Sequence, residues 1–126
     1  MDHITDAIVT PPRTCIDECA QISVVARGNG WDTDYRQVSG GKFESQLRGY
    51  YSSMLRFTDH ACNQEMLIAG TPPPGHIGVV IPLNPLGKSV FQGQTLAVNQ
   101  LAIIGQQSEI QLQTPDDLRM LVVTIQ

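Results

Sequence analysis

The alternation along residues 43–57 constrains this chain more than any other feature. The odd positions Leu47, Gly49, Tyr51, Ser53, Leu55 and Phe57 are mostly apolar or small. The even positions Gln46, Arg48, Tyr50, Ser52 and Arg56 are mostly polar, with Met54 as the exception. A period of two marks a strand with one dry face and one wet face. Residues 32–38 read as a preceding strand, and Ser39-Gly40-Gly41 as the turn that joins the two into a hairpin. Such a hairpin is not stable alone in water, so the rest of the chain is expected to cover its dry face.

Residues 1–13 show no period, end in Pro11-Pro12-Arg13 and read as an arm or loose first strand. Residues 14–27 read as a helix, with Thr14 as the cap and Asp17 and Glu18 in the first turn. Ile16, Cys19, Ala20, Ser23 and Ala26 fall near one face of it, and Gly28-Asn29-Gly30 stops it. Beyond residue 57, turn signals recur at 58–60, 70–75, 84–87, 92–93, 99–100, 105–108 and 114–117. Between them lie short apolar stretches at 62–69, 76–83, 89–91, 101–104, 109–113 and 118–125. Short strands at that spacing predict an antiparallel sandwich or barrel. Strict alternation in 109–113 predicts one wet face, and the nearly unbroken apolar run 118–125 predicts cover on both faces.

A chain of 126 residues is one ordinary domain, here 14–126 after the arm. Charged residues are only 16% of it, the net charge is −4, and Lys42 and Lys88 are the two lysines. That surface does not point to nucleic acid or to an anionic membrane. No run of about 18 apolar residues offers a membrane span, and the first residues lack a signal-peptide pattern. Three unclustered cysteines predict free thiols and a cytoplasmic location.

A small barrel raises the question of metal. His60 and His76 stand apart, His3 lies in the arm, and no His-x-His occurs. His60, Cys62 and Glu65 are close in sequence, but His60 and Cys62 bracket a predicted turn and no second cluster completes a ligand set. Cys15 and Cys19, one helical turn apart, read as buried small hydrophobes. No Gly-x-Ser-x-Gly elbow is present, and Ser52-Ser53 lie mid-strand. Asp32, Asp34, Glu44 and Glu65 read as solvated strand ends. What remains is a pocket. Tyr35, Tyr51, Phe43, Phe57, Phe91 and Met54 are candidates to line it, with Gln37 and Glu65 as polar selectors. The same residues would serve equally to pack a solid core.

Trp31-x-x-x-Tyr35-x-Gln37-x-Ser39-x-Gly41-x-Phe43 resembles an early segment of the sensor domains of AraC-type transcription regulators. Later pieces arrive in that family's order: Asn63, Gly70, Pro73-Pro74-Gly75, Pro82, Phe91-Gln92-Gly93, Thr114-Pro115 and the final apolar strand. The resemblance spans about residues 17–126. It implies a cupin-like double-stranded β-helix barrel with one N-terminal helix, no metal and no other cofactor. It also implies a small-molecule effector, a possible homodimer, and DNA contact only through helix-turn-helix units absent from this chain. The sequence stops at Gln126, before any such units, so a piece of a longer regulator or a free-standing relative is expected. The non-catalytic sensor is weighed against a metal-dependent cupin enzyme and a dimerisation module with a packed interior.

Overall fold

The computed structural model describes residues 13–52, 55–83, 89–97, 100–106 and 108–126, the side chain of Tyr51 excepted. The order of elements is β1 (Thr14–Ile16), α1 (Cys19–Gly28), β2 (Asp32–Gln37), β3 (Ser45–Tyr51), β4 (Leu55–Cys62), β5 (Met66–Thr71) and β6 (Ile77–Pro82). There follow β7 (Ser89–Phe91), β8 (Gln94–Leu96), β9 (Ala102–Ile104), β10 (Ile110–Gln113) and β11 (Leu118–Ile125). One sheet runs β1-β3-β4-β11-β6-β9 and the other β2-β5-β10-β7-β8. If β4 to β11 are counted as eight strands, the first sheet holds the first, eighth, third and sixth. The second holds the second, seventh, fourth and fifth. This interleaving of two Greek keys is the jelly roll that cupins share. The chain is therefore mainly β, cupin-like, with one helix near its start.

The stretch read as one hairpin divides between the sheets. β2 pairs with β5, whereas β3 pairs with β1 and β4. A period of two fixes which face of a strand is dry but not which strand lies beside it. The glycine turn at 39–41 is a crossing between sheets, braced by Gln37 Nε2, which donates to the carbonyls of Ser39 (2.8 Å) and Gly41 (2.9 Å). The long strand 43–57 is broken in two, for Ser52 N–H donates to Leu55 O at 2.8 Å and Leu55 N–H donates to Ser52 Oγ at 3.1 Å. The break reverses the parity. Leu47 faces inward on β3, but on β4 the inward positions are Arg56, Thr58, His60 and Cys62, and Phe57 points outward. There Phe57 stacks on its cross-strand partner Tyr50, with ring centroids 4.6 Å apart. The predicted turn at 58–60 is thus mid-strand.

The helix begins later than predicted, at Cys19, because residues 14–16 are taken up by pairing with β3. Its N-cap is Glu18, with no side-chain cap bond, in place of Thr14. Cys15 is exposed on β1 and does not share a buried helical face with Cys19. Gly28 is the last helical residue, and Gly30 takes the left-handed turn at φ +91°. α1 covers the open edge of β2, where Ser23 Oγ accepts the Tyr35 N–H at 2.9 Å. An edge group that would otherwise face solvent or another chain is thereby paired.

Other expectations hold closely. β7 and β11 occupy the predicted stretches, and Gln92 (φ 50°) and Gly93 (φ 80°) form the turn between β7 and β8. β10 alternates buried and exposed residues. β11 lies between β4 and β6, and its apolar run predicts cover on both faces. Its outer side chains are not sealed, however: Leu121 and Val123 are half-buried and Ile125 is exposed. In register across the six-stranded sheet, Tyr50, Phe57, Val123, Val79 and Ile103 form an outward apolar row. The outer face of the other sheet carries Asp34, Arg36, Gln111 and Gln113 instead. Residues 1–12 of the predicted arm 1–13, Met54 and the turn at 84–87 lie outside the described residues.

Candidate functional site

The interior is built in levels set by strand register. The lowest level on the six-stranded sheet is Ser45, Cys62 and Leu118. It packs at the same end as Phe43, Met66 and Thr114, all buried. Met66 N–H donates to Thr114 Oγ1 at 3.1 Å, and Thr114 N–H donates to Met66 O at 2.9 Å, closing this end. The next levels are Leu47, His60 and Met120, then Thr58, Val122 and Val80, then Arg56 and Thr124. Across from them stand Tyr35, Ile68, Ile110 and Leu112 of the second sheet. The apolar side chains among them pack into one core cluster without filling all the space between the sheets. They enclose a cavity of about 60 Å³ that α1 roofs with Ile22, Val25 and Ala26. That is room for roughly four waters, at the ~15 Å³ one water needs.

The mouth lies beside Asn29, Trp31 and Arg56. Arg56 Nη1 donates to Asn29 O at 3.2 Å, and Trp31 Nε1 donates to Thr124 Oγ1 at 3.2 Å. The Trp31 ring lies over Gly78, where a Cβ would stand 2.6 Å from its Cη2 atom. Only glycine lets the indole seat there.

Two titratable groups stand deep in this space, His60, at 2% exposure, and Tyr35. Burial pulls the pKa of His60 down from 6.5 to about 4, against a weaker upward pull from Asp59. The ring is therefore neutral. Its Nε2 lies 3.0 Å from Ser45 Oγ. Tyr35 faces it with ring centroids 6.2 Å apart. Protein encloses Tyr35, yet part of its surface stays open because it borders the cavity. Burial pushes its phenol up to about 12, so it too is neutral. Thr33 Oγ1, one inward position along β2, is buried, makes no hydrogen bond, and lies near enough to oppose that shift slightly.

Of the side chains singled out from the sequence, Tyr35 borders the cavity. Gln37, Phe43 and Glu65 sit toward the closed end. Gln37 braces the crossing turn, Phe43 is buried in the core, and Glu65 N–H donates to Ser39 Oγ at 2.9 Å. Phe91 packs on the core from β7 without reaching the cavity. Met54 and the side chain of Tyr51 lie outside the described residues. His60, Trp31, Ser45 and Arg56 were not chosen as pocket residues. The signal for His60 was parity. It falls on the inward positions of β4, but those positions read Arg, Thr, His, Cys and so look wet.

Among the described residues, no three His, Cys, Asp or Glu side chains gather in a way that would hold a metal ion. His76 is half-buried, with Nδ1 2.8 Å from Pro74 O. Asp34 pairs with Arg27 at 2.7 Å and Glu44 with Lys42 at 3.6 Å, all on the surface. Cys15, Cys19 and Cys62 are free thiols, and burial raises the pKa of Cys19 to about 11 and that of Cys62 above its usual value. No helix among the described residues is long and apolar enough to cross a membrane.

No protein-family model matches this sequence, and no curated protein matches it. Two solved structures are similar to it. One is described as ethanolamine utilization protein Q of Salmonella typhimurium LT2. It has a TM-score of 0.49 and 15% identity, and the match covers 75% of this chain and 96% of that one. The other is the EutQ protein of Clostridium difficile, with a TM-score of 0.46 and 16% identity, covering 71% of this chain and 75% of that one. The assignment of the fold rests on the strand order given above.

Proposed function

We propose that this domain is a non-catalytic sensor, and that a small organic effector occupies the cavity beneath α1. The observation that carries this reading is the hollow itself. Both sheets and the helix contribute walls, so a guest there touches three elements at once. A ligand shifts a conformational equilibrium only through such differential contacts. Together with the sequence resemblance, the reading is the sensor module of an AraC-type regulator whose DNA-binding units are attached elsewhere. The cupin-enzyme alternative would require carboxylates and histidines to converge; among the described residues no three such side chains gather, and the cavity that His60 borders has no carboxylate in its lining. The test is thermal: the protein is melted with and without a broad panel of small acids, sugars, alcohols and amines. A ligand at a hundred times its dissociation constant adds about 2.7 kcal/mol. A panel with no shift would sink the reading.

The same reading has the domain act as a homodimer, and the outer apolar row is the face we assign to a second copy. Five strands about 4.8 Å apart carrying one row about 6.6 Å deep give a footprint on the order of 160 Å². That is roughly a fifth of the ~800 Å² per partner of a standard interface, so the dimer is weak and concentration-dependent. A sedimentation mass that stays at one chain up to millimolar protein removes it.

A further inference from the structure

Ser45 has one hydroxyl proton, and Ser45 Oγ donates it to Ala61 O at 2.9 Å. Toward His60 Nε2, at 3.0 Å, the same oxygen can only accept. His60 therefore carries its proton on Nε2, and its Nδ1 is a bare acceptor. Nδ1 has no hydrogen-bond partner among the described residues, although the ring is 2% exposed and borders the cavity. The lining nearest the ring is mostly apolar, Ile68, Val80, Met120 and Val122, with Tyr35 and Thr58 as its polar members. The fully enclosed side-chain polar atoms without a partner among the described residues are Thr33 Oγ1 and Arg48 Nε, and Nδ1 is not one of them, so its lone pair keeps some open surface, which the cavity beside it supplies.

We propose that the cavity selects a small, neutral, mostly aliphatic molecule of about four or five heavy atoms that donates one O–H or N–H to His60 Nδ1. This rests on the reading of the barrel as a ligand pocket and adds the class of ligand. A carboxylate at His60 would bring a second acceptor to an acceptor, two register levels below Arg56 at the rim, and an ammonium would find no anion among the lining residues. Burial keeps His60 neutral near pH 7, so no imidazolium offers itself to an anion. Ser45 is a positioning residue that fixes the tautomer, and His60 is the contact.

Two isomers of one formula make the test, 1-butanol and methyl propyl ether, which differ in the O–H. Butyrate, butylammonium and xenon complete the set. The full chain is labelled with ¹⁵N-histidine, and the imidazole nitrogens and the methyls of Ile68 and Met120 are followed by NMR. The free protein should show a proton on Nε2 and none on Nδ1. 1-Butanol should move Nδ1 and bind about ten-fold more tightly than the ether, the worth of one hydrogen bond in a dry site. His60→Phe should make the isomers equal. Ser45→Ala, the gentler change, should let the proton move to Nδ1 and shrink the alcohol's advantage, because the ether oxygen can then accept from Nδ1–H. A proton found on Nδ1, equal binding of the isomers, or tighter binding of either ion overturns the proposal. If xenon moves the methyls while the isomers bind alike, the pocket stands and the ligand class falls. If no probe moves any methyl, both fall.

Discussion

The two ends of this barrel use the same strands differently. At the closed end, Met66, Thr114, Cys62 and Leu118 meet side chain to side chain, and the backbone of β5 is tied to Thr114 by two bonds. At the other end, the next residues along those same strands, Ile68, His60, Met120 and Val122, belong to the same core but leave a cavity of about 60 Å³ beside them. Their cover is a short helix, not a further layer of sheet. Close packing at one end therefore holds the sheets at a spacing that the other end does not fill. The comparison teaches that stability and binding are separated along the strands, a few residues apart on each.

The largest effect should come from two methionines. Met66 is 0% exposed at the closed end, and Met120 is 1% exposed but borders the void. Met66→Ala should cost about 4 kcal/mol, within the usual ~2–5 range for such truncations. Met120 already lacks contacts on one side, so Met120→Ala should cost about 2 kcal/mol. Urea unfolding of both decides it, and equal losses would break the contrast.

Acid should act next, and only through the hollow end. In the unfolded chain His60 takes a proton near 6.5, whereas in the fold burial defers this to about 4. Below 6.5 the unfolded state binds more protons, so stability falls as pH falls and levels off below about 4. The loss attributable to this ring is about 3 kcal/mol, and above pH 6.5 it contributes no slope. Unfolding measured from pH 8 to 4 should show that slope in the native sequence and not in His60→Phe.

Much of this architecture was legible in the chain because turn chemistry punctuates it. Gln92-Gly93 placed β7, and the run 118–125 marked β11 as a strand. What was not legible has a common cause: alternation reports faces, not neighbours. Residues 32–38 read as a strand, with Tyr35 and Gln37 on it as pocket candidates, but alternation did not reach the level at which each stands. It did not say that Gln37 lies at the packed level and Tyr35 at the hollow one. The break at residue 52 uses serine hydrogen bonds in place of glycine or proline, so it left no mark. His60 was hidden because a polar triplet, Thr58-Asp59-His60, reads as a turn. In the fold it alternates, with Asp59 outward to Arg119 at 3.3 Å and His60 inward to Ser45 at 3.0 Å.

Gly78→Ala tests whether the void gives its neighbours room. The new methyl would lie 2.6 Å from Trp31 Cη2, so the indole must shift and its bond to Thr124 must lengthen. Overpacking usually costs about 1–3 kcal/mol. Here the ring borders free space, so the loss should be near 1 kcal/mol, with the ring displaced into the mouth. Indole fluorescence should report the displacement, and ligand uptake should fall with it. A loss of 3 kcal/mol with unchanged fluorescence would show that the mouth is as rigid as the closed end.

The smallest effect sharpens the contrast most, because its sign is at stake. Val122→Ile adds one methylene facing the cavity, where no atom has to move to receive it. Burying that methylene should stabilise the fold by about 0.8 kcal/mol. Leu118→Phe enlarges a side chain two register levels away on the same strand, where the space is taken, and should cost about 1–3 kcal/mol. The gain at position 122 should be matched by weaker uptake of any guest, since the methylene occupies its volume. Stabilisation without that weakening would mean that the guest binds elsewhere. A loss at both positions would mean that the hollow end repacks as tightly as the closed one once the chain is free in solution.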